Sequence, residues 1–204
     1  MVKIGVLALQ GAVREHVKSL EAPNTEVVII KRVDQLDDLD GLVFPGGEST
    51  TMRRLVNKYG FFQPLRDFAE AGKPIFGTCA GLILMAEKIE GSDEEGHLQL
   101  MDMKVERNAF GRQRESFETK LVVDQVADDV EAVFIRAPLI SETGEAVDIL
   151  AEYEGEIVAA KQNHLLACSF HPELTDDARL HQFFVKMVKE AKETRSAQET
   201  ARPV

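Results

Sequence analysis

Apolar positions fall into two textures along the chain. In the first part, short and nearly continuous apolar runs alternate with segments of helical period. Lys3 to Leu9 is one such run, of the kind that suits a strand buried on both faces. Gln10-Gly11 breaks it, and Ala12 to Ala22 follows with Val13, Val17 and Leu20 on one helical face. Pro23-Asn24 ends that helix. Glu26 to Lys31 reads as a second strand, and Leu42 to Phe44 as a third, closed by Pro45-Gly46-Gly47. Thr50 to Tyr59 and Phe62 to Ala71 have helical spacing. Ile75-Phe76 is a fourth strand, and Ala80 to Ile89 the helix after it. This alternation, with turns at the strand C-termini, predicts an α/β fold, a doubly wound sheet with helices on both faces.

The pattern changes after Gly91. Met101 to Glu106, Glu118 to Val123, Val133 to Ala137, Val147 to Tyr153 and Ile157 to Lys161 read as strands separated by short polar turns. They predict antiparallel strands added to the sheet, which makes it mixed. Leu166 to Phe170 is a further buried strand. Thr175 to Lys192 reads as an amphipathic helix carrying Leu180, Phe184, Met187 and Val188, with Ser196 to Val204 a polar, frayed tail. No internal repeat or linker interrupts the 204 residues, so 1–204 reads as a single domain.

Composition narrows the function classes. With 24 Lys and Arg against 35 Asp and Glu, the formal charge is −11, a poor basis for binding nucleic acid or an anionic membrane. No apolar run approaches the roughly 20 residues of a membrane helix. Ile4 to Leu9 is too short for a signal segment and has little charge before it. The two cysteines, Cys79 and Cys168, form no disulfide framework and read as reduced thiols. A cytoplasmic protein is expected.

The chemistry concentrates at three strand ends. Gly77-Thr78-Cys79-Ala80-Gly81 places a nucleophile between a strand and a helix, with a glycine two residues to either side. A turn that sharp excludes side chains at both glycines. The helix start at Ala80 would favour thiolate at Cys79, and its N–H could face an oxyanion. The competing reading of Cys79 is a buried core cysteine. Phe170-His171-Pro172-Glu173 lies at another strand end. His171 could serve as the base for a thiol, with Glu173 fixing its tautomer if the chain stays extended. A structural capping pair is the other reading of these residues. In Pro45-Gly46-Gly47-Glu48-Ser49-Thr50, the Gly47 N–H is a candidate oxyanion donor beside that of Ala80, and Ser49 or Thr50 would cap the next helix. Cys168, in an apolar strand, reads as core. His16, His97, His164 and His181 show no ligand-like spacing, so no metal is expected; His97 and His181 read as surface or partly buried.

In this order and spacing, PGGES, GTCAG and HPE resemble the class I (triad) glutamine amidotransferases. Further blocks narrow the resemblance to the glutaminase subunits of pyridoxal 5′-phosphate synthases. They are Ile4 to Leu7, Leu9 to His16, PGGESTTMRRL, GTCAGLIL, Val105 to Asn108, Phe110 to Gln113, Phe134 to Pro138 and CSFHPEL. The resemblance covers almost all of Lys3 to Lys192. It implies that Cys79 attacks the side-chain amide of L-glutamine, His171 shuttles the proton and Glu173 orients His171. It implies substrate contacts at Gly47, Glu48, Ser49, Arg107, Ile135 and Arg136. An arginine could hold the α-carboxylate in a bidentate pair, or be a solvated surface charge. No cofactor is implied. The partner implied is the (β/α)8 synthase subunit PdxS, which combines the ammonia with ribose 5-phosphate and glyceraldehyde 3-phosphate. In that family the partner completes the oxyanion hole, and Gln10 lies in the block assigned to this region. Two segments depart from the family pattern: Gln162 to Ala167, which lacks its glycines, and a possible one-residue shift near Glu94-Glu95-Gly96. A free-standing cysteine hydrolase and a docking module with an idle triad are the rival readings.

Overall fold

Residues 1–91, 97–107, 109 and 116–201 are described by a computed structural model. Glu94-Glu95-Gly96, Asn108 and Phe110 to Gln113 lie outside them. The first strands are β1 (Val2–Leu7), β2 (Thr25–Ile30), β3 (Gly41–Phe44) and β4 (Ile75–Thr78). The helices are α1 (Val13–Ser19), α2 (Ser49–Lys58), α3 (Phe62–Glu70), α4 (Ala80–Met85) and α5 (Arg179–Thr200). The later strands are β5 (Ala86–Ile89), β6 (Met101–Glu106), β7 (Ser116–Val123), β8 (Ala127–Ile135), β9 (Leu139–Thr143), β10 (Asp148–Tyr153), β11 (Glu156–Gln162) and β12 (Leu165–Cys168).

One mixed sheet runs β2-β1-β3-β4-β12-β11-β9-β6-β5, with β10 also paired to β11. Its five strands from β2 to β12 are mutually parallel, and β11 turns antiparallel beside β12. Strands β7 and β8 form a separate antiparallel ribbon. Side chains alternate between the two faces of the sheet, as the pleat requires. Leu42, Phe44, Ile75, Leu165 and Ala167 pack with residues of α2, α3 and α4. Val43, Phe76, Leu166 and Cys168 pack on the other face, with α1, α5 and the ribbon. Helices therefore cover both faces, and buried strands lie between them.

Three expectations are corrected. The helix after Cys79 ends at Met85; Ala86–Ile89 leaves it as a strand because it pairs in parallel with β6. Strand β9, not read from the sequence, fills the space between β6 and β11. The chain does not fray at Ser196, since α5 continues to Thr200. Arg195 anchors that stretch by donating to the Gly72 carbonyl at 3.0 Å, and Lys192 pairs with Asp40 at 2.8 Å. The turn from β11 to β12 needs no glycine: Asn163 takes φ 55°, a left-handed conformation that asparagine tolerates. No described helix is long and apolar enough to cross a membrane.

Candidate active site

Three adjacent parallel strands end at one place. Beyond β3 lies Gly46, beyond β4 lies Cys79, and beyond β12 lies His171. The pairings Phe44 with Gly77 and Cys168 with Thr78 bring these ends level.

Cys79 sits at φ 50° and ψ −104°, a strained conformation for a residue with a side chain. Two features hold it there. Its N–H donates to the Cys168 carbonyl at 2.8 Å. The glycines on either side permit the close approach: a Cβ at Gly77 would lie 2.6 Å from Met85 Sδ, and one at Gly81 would overlap the Phe44 carbonyl oxygen. Cys79 is 7% exposed. Ala80 opens α4, where first-turn N–H groups have no partner within the helix. Cys168 is fully buried, its thiol pushed up by burial and then by the charges of Glu173 and Cys79.

His171 faces Cys79. Its N–H donates to the Val133 carbonyl of β8 at 2.7 Å, which ties it to the ribbon. Its Nδ1 lies 2.7 Å from Glu173 Oε1. The expected extended path to Glu173 is corrected: Pro172–Leu174 is a 3-10 turn, and this turn folds the carboxylate back under the imidazole. Burial by itself would lower the pKa of His171. Hydrogen bonds to Cys79 and Glu173, with the charges they carry, outweigh burial and push it up to about 10. The imidazole is therefore protonated at neutral pH. The ring proton resonances of His171 should titrate near pH 10 in NMR, and in Cys79→Ala the midpoint should fall because one of the two partners is gone. The sign for stability follows. A raised folded-state pKa contributes stability that is complete below the unfolded value of 6.5 and disappears as pH rises through about 10.

The loop after β3 supports the pair. A Cβ at Gly46 would enter the His171 ring, 2.9 Å from Nδ1, and lie 3.4 Å from Cys79 Cβ. The Gly46 carbonyl accepts from the Ala12 N–H at 3.2 Å, which stitches this loop to the one before α1. Gly47 is exposed, and the Gln10 side chain lies over the position its Cβ would take. Gln10 Oε1 accepts from the Glu48 N–H at 2.9 Å. The expected cap of α2 is corrected from Ser49 or Thr50 to Glu48, whose carboxylate accepts from the N–H groups of Thr50 and Thr51. Hydrogen bonds from Thr51 and Thr50 hold its pKa down, at about 2. Ser49 follows as the first residue of the helix.

The remaining candidates gather on neighbouring segments. Ile135 ends β8, 39% exposed, and Arg136 follows at φ 43°. Arg107 follows β6, half-buried, and the next described residue, Ala109, donates its N–H to the Ala137 carbonyl at 3.2 Å. The Nε of Arg107 is shielded from solvent and has no hydrogen-bond partner among the described residues. The structure thus brings Cys79, His171, Glu173 and Gly46 together and sets Gln10 over Gly47 and Glu48. Arg107, Ile135 and Arg136 stand on the flank that joins the site through β8.

Sequence reasoning missed the floor of the site. His16, His181 and Thr78 are all fully buried, so the expectation of a surface or partly buried His181 is corrected. His16 Nδ1 lies 2.9 Å from His181 Nε2, and His16 Nε2 lies 3.1 Å from Thr78 Oγ1. His97 is buried as well, with its pKa lowered to about 4 by burial and then by Arg53. Among the described residues, no three His, Cys, Asp or Glu side chains are grouped to hold a metal ion.

A strained cysteine at a strand-to-helix turn, facing an imidazole from the next parallel strand, sets the chain among the class I glutamine amidotransferase folds. A crystal structure described as a glutamine amidotransferase matches it with a TM-score of 0.86 at 44% identity, over 91% of this chain and 98% of that one. A solved structure of PurLQS from Thermotoga maritima matches with a TM-score of 0.66 at 16% identity, over 91% of this chain and 99% of that one, and shares the fold alone. The chain belongs to the SNO glutamine amidotransferase family, whose model matches residues 6–190. It is similar to pyridoxal 5′-phosphate synthase subunit PdxT of Halalkalibacterium halodurans, at 74% identity over 94% of this chain and 97% of that one. It is likewise similar to the PdxT subunit of Geobacillus sp. (strain WCH70), at 66% identity over 94% of this chain and all of that one.

Proposed function

We propose that the chain is the glutaminase subunit of a pyridoxal 5′-phosphate synthase and supplies ammonia for vitamin B6 biosynthesis. The observation that carries the chemistry is the line Cys79, His171, Glu173, with 2.7 Å between the last two. In this reading Cys79, as thiolate, attacks the side-chain carbonyl carbon of L-glutamine. The proton on His171 passes to the departing nitrogen, and ammonia leaves. The remaining γ-glutamyl thioester is cleaved by water, which His171 deprotonates. Glutamate departs, and the Cys79 thiolate and protonated His171 are restored. Glu173 stabilises the imidazolium and keeps its orientation throughout.

Substrate would lie between the Gly47–Ser49 loop and the flank carrying Arg107, Ile135 and Arg136. An arginine there suits the α-carboxylate. The Gly47 and Ala80 N–H groups are the oxyanion donors in this reading. Gln10 supports a dependence on the synthase subunit PdxS, because its side chain lies against Gly47 and holds the Glu48 N–H. Docking of the partner beside Gln10 would release this loop to receive the oxyanion.

The test is glutamate formation from L-glutamine with and without PdxS. A rise of at least about tenfold on adding PdxS is expected, the size of one oxyanion donor or more. Strong hydrolysis that ignores PdxS would overturn the gating and leave the hydrolysis standing. No hydrolysis by the folded complex would overturn the glutaminase reading itself.

A further inference from the structure

Beneath Glu173 lies a cluster that the proton transfers above do not use. Glu173 is 5% exposed. One of its oxygens, Oε1, is committed to His171. The other, Oε2, is buried and lacks a hydrogen-bond partner among the described residues; His16 Nε2 lies 3.6 Å from it. A buried carboxylate oxygen needs a donor directed at it.

The tautomers of the two histidines decide which way the cluster points. Nδ1 of His181 is buried and has no hydrogen-bond partner among the described residues. A proton there would be a buried donor without an acceptor, so the His181 proton belongs on Nε2, where it meets His16 Nδ1 at 2.9 Å. His16 must then accept at Nδ1 and carry its own proton on Nε2, between Thr78 Oγ1 at 3.1 Å and Glu173 Oε2 at 3.6 Å. The opposite assignment would leave the His181 donor stranded and turn a lone pair of His16 toward the carboxylate. The hydrogen bonds thus run in one direction, from α5 through α1 to Thr78, and the His16 Nε2 proton stands 3.6 Å from Glu173 Oε2.

Neutral rings suit this task. Burial, followed by the charges of His181 and His171, lowers the pKa of His16 far below 6.5, and burial lowers that of His181 to about 4. A protonated His16 would compete with His171 for the carboxylate; a neutral one orients it. The titratable groups facing His16 are His181 from α5, Glu173 from the 3-10 turn and His171, with the Thr78 hydroxyl from β4. Phe76 fixes both rings edge-on, at 6.5 Å from His16 and 5.6 Å from His181.

We infer that His16, backed by His181, is a positioning residue that holds Glu173 beneath His171 and so extends the triad inward. This rests on the triad reading given above.

The experiment compares His16→Leu, His16→Gln and His181→Phe with the wild type, each in complex with PdxS, and includes Cys79→Ala. The readouts are kcat and KM for glutamine, and the pH dependence of Cys79 alkylation by iodoacetamide. Thermal unfolding and complex formation check the fold. Without His16 beside it, Glu173 is held less firmly beneath His171 and supports the imidazolium less. In His16→Leu the alkylation profile should therefore move about one pH unit upward, the size of a hydrogen bond to a charged group. kcat should fall roughly 10- to 100-fold, as when outer-shell partners are lost, with KM little changed. His16→Gln offers an amide N–H to Glu173 and should recover most of both. His181→Phe keeps the ring packing and should shift the profile in the same direction. If His16→Leu does not fold, His181→Phe decides. A folded variant whose alkylation profile superimposes on that of the wild type overturns the inference, even if its melting temperature is lower. Should Cys79→Ala be inactive while the His16 profile stays unmoved, this inference alone fails. Should Cys79→Ala still hydrolyse glutamine, the triad reading fails and this one with it.

Discussion

Cys79→Ala should reduce glutamine hydrolysis about 10⁴-fold or more, to the background rate. The reason is chemical. Cys168, the other described thiol, is fully buried and its Sγ donates to the Phe170 carbonyl at 3.4 Å, so it is not open to substrate. Alanine keeps the Cβ that packs 3.4 Å from the position a Gly46 Cβ would take, and it tolerates φ 50° no worse than cysteine. The fold and the complex with PdxS should therefore persist. Steady-state glutamate release and analytical ultracentrifugation of the complex check the two halves separately. Appreciable turnover by the pure variant would show that another group is the nucleophile.

Gly46→Ala should lower kcat about 100-fold, although Gly46 itself supplies no group that takes part in bond making. The added methyl would enter the His171 ring. That ring has little room to retreat: Glu173 holds its Nδ1 at 2.7 Å, and the Val133 carbonyl holds its backbone at 2.7 Å. The Gly46 loop is held as well, by the Ala12 N–H. Something must shift by a sizeable fraction of an ångström, and displacements of about 1 Å at a reacting centre cost roughly that factor. Overpacking should also cost about 1–3 kcal/mol of stability. Single-turnover kinetics and a thermal melt measure the two effects. Wild-type kcat in this variant would mean that the imidazole does not need its present position.

Much of this was legible in the chain. Continuous apolar runs ended by glycine marked β1, β3 and β4, because strands buried on both faces have no polar alternation to blur them. The elbow at Cys79 was legible because its turn tolerates nothing larger than glycine at positions 77 and 81. Strand β5 was not, because Leu82 to Ala86 is apolar throughout and only its pairing with β6 makes Ala86–Ile89 a strand. The run from Ser196 to Thr200 looked like tail for lack of apolar residues, although its helix is anchored further back by Lys192 and Arg195. His16 and His181 were hidden by a separation of 165 residues. One signal was available: His16 lies on the same helical face as Val13, Val17 and Leu20, and His181 shares a face with Phe184, Val185 and Val188. A histidine on an apolar face is a buried polar group, and its partner was worth seeking.

The pairing of β12 with β4 acts as a ruler. The sulfur and the imidazole ride on separate strands, joined at this level by the alignment of Cys168 with Thr78. A slip of one residue between those strands would move one group past the other by about 3.3 Å and turn each side chain to the opposite face. No hydrogen bond spans that error. The alternating burial of Leu165, Leu166, Ala167 and Cys168 against two different cores forbids the slip. The oily residues between the layers thus set the reach of the chemistry, and a core substitution that loosened this alignment would present as an enzymatic defect before it presented as an unfolded protein.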